Sequence, residues 1–167
     1  SVARQGVLRE GPHGSMWAAH RTAGGALLGW EERGPEWRGF ATGGAKQLFR
    51  LGQPAAQRVC VTEAAIDAMS LAAIQVMRLD TLYVSTGGGW APASEEAIRS
   101  LAAREGAQLV AATDNNRQGD IYAERIRAIA AEAGARYARS RPRAEDWNED
   151  LKVLLGRLES APLAEAG

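Results

Sequence analysis

Three apolar runs that each end in polar or glycine residues set the pattern of the chain: Val59 to Glu63, Tyr83 to Gly89 and Leu109 to Asn116. Two stretches with helical spacing separate them. The order strand, helix, strand, helix, strand predicts a parallel sheet with right-handed crossovers. The first helix spans Glu63 to Met77, is rich in Ala, and carries Ile66, Met69, Ile74 and Met77 near a helical period. Pro92-Ala-Ser94-Glu95-Glu96 opens the second with a capping residue and early acids, and Gly106 stops it after Glu105. A third helix, about Asp120 to Ala133, places Ile121, Ile126 and Ile129 opposite Glu124, Arg125 and Arg127, and Gly134 closes it. Ala135 to Arg139 reads as a fourth strand and Asn148 to Leu158 as a last helix. The small, polar tail, residues 161–167, is expected to fray.

Residues 1–56 lack a long helical period and are dense in Gly, Trp and turn residues, which predicts a small β-rich region ahead of the α/β domain at 57–160. Met16 to His20 and Ala26 to Trp30 flank Thr22-Ala-Gly-Gly25 as a hairpin. Glu36 to Phe40 and Gln47 to Leu51 flank Thr42-Gly-Gly44 as a second, with Gly34-Pro35 breaking the chain between them. Gly52-Gln53-Pro54 marks the boundary. The aromatic residues from Trp17 to Phe40 read either as a small structural cluster or, at Trp30, Trp37 and Phe40, as faces that stack on bases beside Arg33, Arg38 and Lys46.

Composition narrows the classes. With 167 residues and 46% hydrophobic content the chain can bury one sizeable core. Its formal net charge is zero, so nucleic-acid affinity has to come from local Arg clusters and not from overall charge. The single Cys60 excludes an internal disulfide, and with only His13 and His20 beside it there is no zinc-ligand spacing. No apolar run approaches a membrane span and the start lacks a signal-peptide pattern, so no membrane partner and a reducing, cytoplasmic setting are expected. The start at Ser1, without Met, reads as a fragment or a processed product.

The chemistry gathers at the strand ends, where ligands bind in open parallel sheets. Glu63 stands at a strand-to-helix junction, as a site acid or as a partner for the helix dipole. Asp67, one turn on, either supports the site or faces solvent. Gly87, Gly88 and Gly89 can bring backbone amides to an anion or make a tight turn, and they match neither the dinucleotide fingerprint nor the phosphate loop. Asp114 stands past the third strand, and Asp146 and Asp150 follow the fourth. Acids at one edge are tolerated more easily with a cation among them. Arg117, Arg139, Arg141 and Arg143 near the same edge read as phosphate contacts or as solvated charge.

Thr62-Glu63-Ala-Ala-Ile-Asp67-Ala, Ser85-Thr-Gly-Gly, Thr113-Asp114-Asn-Asn116-x-x-Gly119 and Glu145-Asp146-Trp147-Asn148-Glu149-Asp150-Leu151 together resemble the Toprim fold of topoisomerases and bacterial-type primases, over residues 57–157. The similarity is narrower to Toprim domains of plasmid and mobile-element proteins related to primases and relaxases. Gly29-Trp-Glu-Glu-Arg-Gly34 to Arg38-Gly-Phe40-Ala41 is similar to the small β region that precedes Toprim there. The resemblance implies an α/β, Rossmannoid domain of about four mostly parallel strands flanked by helices. It implies Mg²⁺- or Mn²⁺-dependent phosphoryl transfer on DNA or RNA, single-stranded, within a larger protein of plasmid mobilisation such as a primase, nuclease or relaxase-associated protein. Glu63 and Asp114 are then catalytic, with Asn116 and Asp146 completing the metal ligands, Asp67 and Asp150 as supporting acids, and Gly87 to Gly89, Arg117, Arg141 and Arg143 on phosphates. The family's second aspartate is here Asn116, which keeps an oxygen ligand and removes a charge. Asp146 or Asp150, or more distantly Asp120, can supply the missing carboxylate. A second reading keeps the fold as a module that binds nucleic acid, nucleotide or a partner domain without chemistry of its own.

Overall fold

The computed structural model describes residues 6–160. In chain order the elements are β1 (Leu8–Glu10), β2 (Met16–Arg21), β3 (Leu27–Arg33), β4 (Arg38–Phe40), β5 (Leu48–Gly52), β6 (Arg58–Thr62), α1 (Ala65–Ile74), β7 (Thr81–Ser85), α2 (Pro92–Ala102), β8 (Gln108–Ala111), α3 (Arg117–Ala133), β9 (Arg136–Arg139) and α4 (Trp147–Glu159). The expected tail lies outside the described residues.

Strands β6 to β9 are the four expected parallel strands, in the spatial order β7-β6-β8-β9. Their period-two alternation sorts the core into two layers. Val59, Val61, Leu82, Val84, Leu109 and Ala111 face α2 and α3 through Ile98, Leu101, Ile126 and Ile129. Cys60, Tyr83, Val110 and Ala112 face the other way, onto Ala65, Ala68, Leu71 and Trp147 of α1 and α4. Helices therefore cover both faces, which is why these strands read as unbroken apolar runs. Among the described residues no helix is long and apolar enough to cross a membrane.

The expected domain boundary falls in the turn between β5 and β6, and the sheet runs across it. β5 pairs antiparallel with β7, from Phe49 opposite Ser85 to Gly52 opposite Leu82, and carries the order on through β2, β3 and β4. The first expected hairpin is present as β2 and β3. The second is not: β4 pairs back onto β3, with Glu31 opposite Phe40, while β5 crosses to the other side of β2. Burial explains the split. Leu48, Phe49 and Leu51 need cover on both faces, which only the middle of the sheet offers, whereas the exposed Arg38-Gly39 pair suits an edge.

The first helix also differs from its expected face. Ile66, Met69 and Ile74 are only half-buried and Met77 lies past the helix; the buried side is Ala65, Asp67, Ala68, Ser70, Leu71 and Ala72. Small side chains on that side let α4 approach closely, and this outweighs the pull of the longer apolar residues.

Phe49 is fully buried where the antiparallel and parallel halves meet. Phe49→Ala is expected to cost about 3–5 kcal/mol and to shift a single transition in urea denaturation; two separated transitions would show that the halves unfold independently.

Candidate active site

β6 and β8 are parallel neighbours, so the residues just past their ends meet. The Asp114 amide donates to Glu63 Oε1 at 3.2 Å and so fixes the two acids side by side. The chain then turns sharply into α3. Thr113 Oγ1 donates to the Gly119 carbonyl at 2.6 Å, and Gly119 N–H donates to Asn116 Oδ1 at 2.9 Å, which makes Asn116 the cap of α3. A Cβ on Gly119 would lie 2.1 Å from the Asp114 carbonyl oxygen, so this turn admits only glycine.

Over this edge opens a cleft of about 530 Å³, lined by Glu31, Glu63, Asp67, Asp114, Asn116, Glu145 and Asp146, and by Arg33 of β3, Arg38 of β4 and Lys46 of the loop between β4 and β5. Crowding of acids shows in their protonation. Burial pushes Asp67 up to about 7, with Asp146 adding to the rise and the Asn148 amide opposing it. Burial likewise pushes Asp114 up to about 7, with Glu63, Asp67, Asp146 and Glu145 all adding. Glu63 is raised by burial, against the Asp114 amide and the Arg139 charge. Asp114 Oδ1 is buried and has no hydrogen-bond partner.

Among the described residues no group of three or more His, Cys, Asp or Glu side chains is arranged to hold a metal ion. Magnesium, however, needs only one or two carboxylates when water and substrate phosphates supply its other oxygens. The unpaired Asp114 oxygen beside Glu63 fits that requirement, with Asp67 and Asp146 as further acids.

The other expected site residues divide. Asp146 lines the cleft, but its Oδ1 caps α4 by accepting the Glu149 amide at 2.8 Å. Asp150 is turned away: its two oxygens accept the Arg143 and Ala144 amides, both at 2.8 Å, and hold that loop. Asp120 pairs with Arg141 and, at 3.6 Å, with Arg139. Arg139 spends its guanidinium on the carbonyls of Ala111, Thr113, Asp114 and Ser140, tying down the end of β8. Arg141 also reaches Asn115 Oδ1, and neither it nor Arg117 nor Arg143 lines the cleft. Gly87 and Gly88 do line it, Gly89 does not. The Gly88 amide is already donated to the Glu63 carbonyl at 2.8 Å, and its carbonyl accepts from Lys46 Nζ at 3.0 Å.

Two residues of the site escape sequence reasoning. Glu31, 7% exposed, accepts the Ala65 amide on both oxygens at 3.1 Å, capping α1 from a distant strand where the local cap, Ala64, has no side chain to do so. His20, fully buried, accepts the Gln47 amide on Nδ1 at 3.3 Å, which leaves Nε2 to carry the proton and face Glu31 at 3.5 Å. Gly87, at φ +74°, packs on His20: a Cβ there would meet Cε1 at 2.6 Å. The available signal was alternation, because Glu31 occupies the same inward register of β3 as Gly29.

Glu31→Ala leaves the Ala65 amide and His20 Nε2 without their acceptor. A loss of about 1–3 kcal/mol is expected in chemical denaturation, with Glu31→Gln recovering part of it. The pH dependence has a definite sign. Asp67 and Asp114 hold protons in the fold up to about 7, against 3.8 as the ordinary value. Their contribution to stability is thus full below about pH 4 and lost as pH rises through 7. In chelator the melting temperature is expected to fall between pH 5 and pH 8, and Asp114→Asn to flatten that fall; an unchanged slope in the variant would contradict the assignment.

A family model described as Toprim-like matches residues 60–151, and one described as a protein of unknown function (DUF3991) matches residues 1–56. No curated protein matches the chain. The fold is similar to the primase fragment of the bacteriophage T7 primase-helicase protein, with a TM-score of 0.58 at 19% identity over 95% of this chain. The chain spans 65% of the length of that fragment. It is similar also to a chain of the complex in which T7 lagging-strand DNA polymerase interacts with primase domains bound to an RNA/DNA hybrid and dTTP, with a TM-score of 0.60 at 18% identity, covering 93% of this chain and 80% of that one. A DNA primase domain from Pseudomonas aeruginosa gives 0.50 at 16% identity, covering 95% of this chain and 57% of that one. These likenesses are of fold. The Toprim-like match spans more than half of the sequence, on the same strands and acids that build the cleft, and the chain belongs to the Toprim-like family.

Proposed function

We propose that the chain is the Toprim domain of a DNA-processing protein of a mobile element, a primase, nuclease or relaxase-associated protein, and that it supports divalent-metal-dependent phosphoryl transfer on nucleic acid in the cytoplasm. The observation that carries this reading is the buried, unpartnered Asp114 oxygen beside Glu63 in an acid-lined cleft. Glu63 and Asp114 hold the cation, Asp67 and Asp146 add negative charge around it, and bound Mg²⁺ or Mn²⁺ supplies charge stabilisation to a phosphoryl group. Glu63, with one oxygen on the Asp114 amide and its carboxyl raised, has its second oxygen left either to meet the cation or to give or take a proton. The mobile-element context rests on the sequence resemblance of Gly29 to Ala41 and of the four Toprim motifs.

One observation favours a second reading, a module that binds nucleic acid, nucleotide or a partner domain without its own chemistry. Asn116, at the family's second aspartate, already uses its oxygen to cap α3. Asp caps as well as Asn does, so Asn116→Asp adds charge without uncapping the helix. Calorimetric titration of Mg²⁺ and Mn²⁺ is expected to show binding to wild type, loss in Asp114→Ala, and binding tighter by about tenfold or more in Asn116→Asp. Cleavage or primer synthesis on labelled single-stranded DNA by the same samples separates the readings. No metal binding by any variant at millimolar concentration, with or without DNA, would sink the catalytic one.

A further inference from the structure

A second cavity, of about 120 Å³, lies between β5 and α2 and shares no lining residue with the acid-lined cleft. Gln47, Arg50, Glu96 and Arg104 supply its polar wall. Strand alternation explains how an arginine comes to be there. Phe49 and Leu51 join the core layer beneath α1, whereas Arg50 lies opposite Val84 and shares its side, the one that α2 and α3 cover. Arg104 follows just past the end of α2, two turns on from Glu96, and so reaches the same wall.

Two cations therefore meet there with no acid paired to either. Among the described residues the ion pairs lie elsewhere, and neither guanidinium takes part in one. Arg104 donates Nη1 to the Pro54 carbonyl at 2.6 Å. Arg50 Nε is buried with no acceptor, and Gln47 Oε1 is buried with no donor. Burial, with the Arg104 charge adding, lowers Arg50 from its ordinary value, yet an arginine keeps its proton in a protein. Glu96 is exposed and stays out of contact with both. A guanidinium held out of water without a partner is costly, and an anion seated against it removes that cost. Ligands of nucleotide size fill about 300–1,000 Å³, so this cavity has room for one tetrahedral oxyanion and not for a nucleotide.

We infer that Arg50 and Arg104 form an oxyanion site that takes a phosphate dianion, free or at the end of a small phosphomonoester, and braces α2 against β5. Guanidinium groups match phosphate oxygens in forked pairs. Gln47 links the brace to its surroundings: its carbonyl accepts from Ser94 Oγ of α2 at 2.5 Å, and its amide donates to His20 Nδ1 at 3.3 Å. The site is independent of the proposed function, because no acid of the cleft takes part in it.

The test follows the side-chain Nε–Hε resonance of Arg50 in isotope-labelled chain, and the melting temperature, as inorganic phosphate or glycerol phosphate replaces chloride at constant ionic strength in chelator. Phosphate is expected to shift the resonance saturably and, at about tenfold excess over Kd, to raise the melting temperature by about 3–6 °C. Arg104→Ala is expected to weaken binding by about tenfold or more. Arg50→Met is expected to abolish the response and, since it removes an unpartnered buried cation, to melt no lower than wild type in chloride. Glu96→Gln is expected to tighten binding, because a carboxylate beside the cavity repels the anion. A response to both phosphates admits the ester; a response to inorganic phosphate alone confines the site to the free ion. The same melting response in Arg50→Met as in wild type, or no saturable shift in wild type, overturns the site. Loss of the response in Arg38→Ala also overturns it, by moving the phosphate to the cleft. So does an Arg50 resonance that moves on Glu96→Gln in chloride but not on addition of phosphate, which would make Glu96 its partner.

Discussion

The hydrogen bond from the Asp114 amide to the Glu63 carboxylate is the contact on which the rest of the site depends. It follows from the parallel register of β6 and β8, and it brings together two acids that would otherwise repel each other. The amide satisfies one Glu63 oxygen and leaves the second free. Asp114 receives no such relief, and its carboxyl rises accordingly. Arg139 offers little, because its guanidinium is committed to four backbone carbonyls and stiffens the strand end more than it neutralises the acids. The fold thus gathers negative charge faster than it compensates it, as expected of a site that is completed from outside.

The N-terminal strands complete this edge as much as the parallel strands do. Glu31 caps α1 and so holds the turn that carries Glu63; His20 seats the Gly87 bend; Lys46 grips the Gly88 carbonyl. All three contacts cross the expected domain boundary. Since β5 also donates Phe49 and Leu51 to the layer beneath α1, the two regions share both a core and a cleft.

What could be read from the sequence follows from how local each signal is. The parallel strands were legible because burial on both faces leaves an unbroken apolar run, and Glu63 and Asp114 because they end such runs. Pairing was less legible. Thr42-Gly-Gly44 reads as a hairpin turn, yet the exposed β4 and the buried β5 have different needs that only the whole sheet reveals. The face of α1 was misjudged because alanine carries almost no periodic signal, whereas helix packing prefers its small size. Arg117, Arg139, Arg141 and Arg143 read as phosphate ligands by position alone; Arg139 is spent on carbonyls, Arg141 on Asp120, and Arg117 and Arg143 are exposed to solvent. Glu31 was hidden for a similar reason, since a carboxylate on a short strand announces nothing about an amide 34 residues away.

Asn116 shows how the chain balances those charges. As a helix cap, Asp would serve equally well, so capping does not explain the amide. Its consequence is electrostatic. Asp67 and Asp114 already titrate near neutrality, and a further carboxylate in the same cleft would raise both again and penalise the cation-free fold. Asn116 removes that penalty while keeping the turn into α3 intact. The same change weakens the pull on a cation, so phosphate oxygens have to supply what the protein lacks. Arg33, Arg38 and Lys46 line the same cleft, where they can hold such a phosphate. Under the proposed function, the amide therefore couples metal binding to substrate binding: a cation is held poorly by the protein alone and better when a phosphate arrives with it.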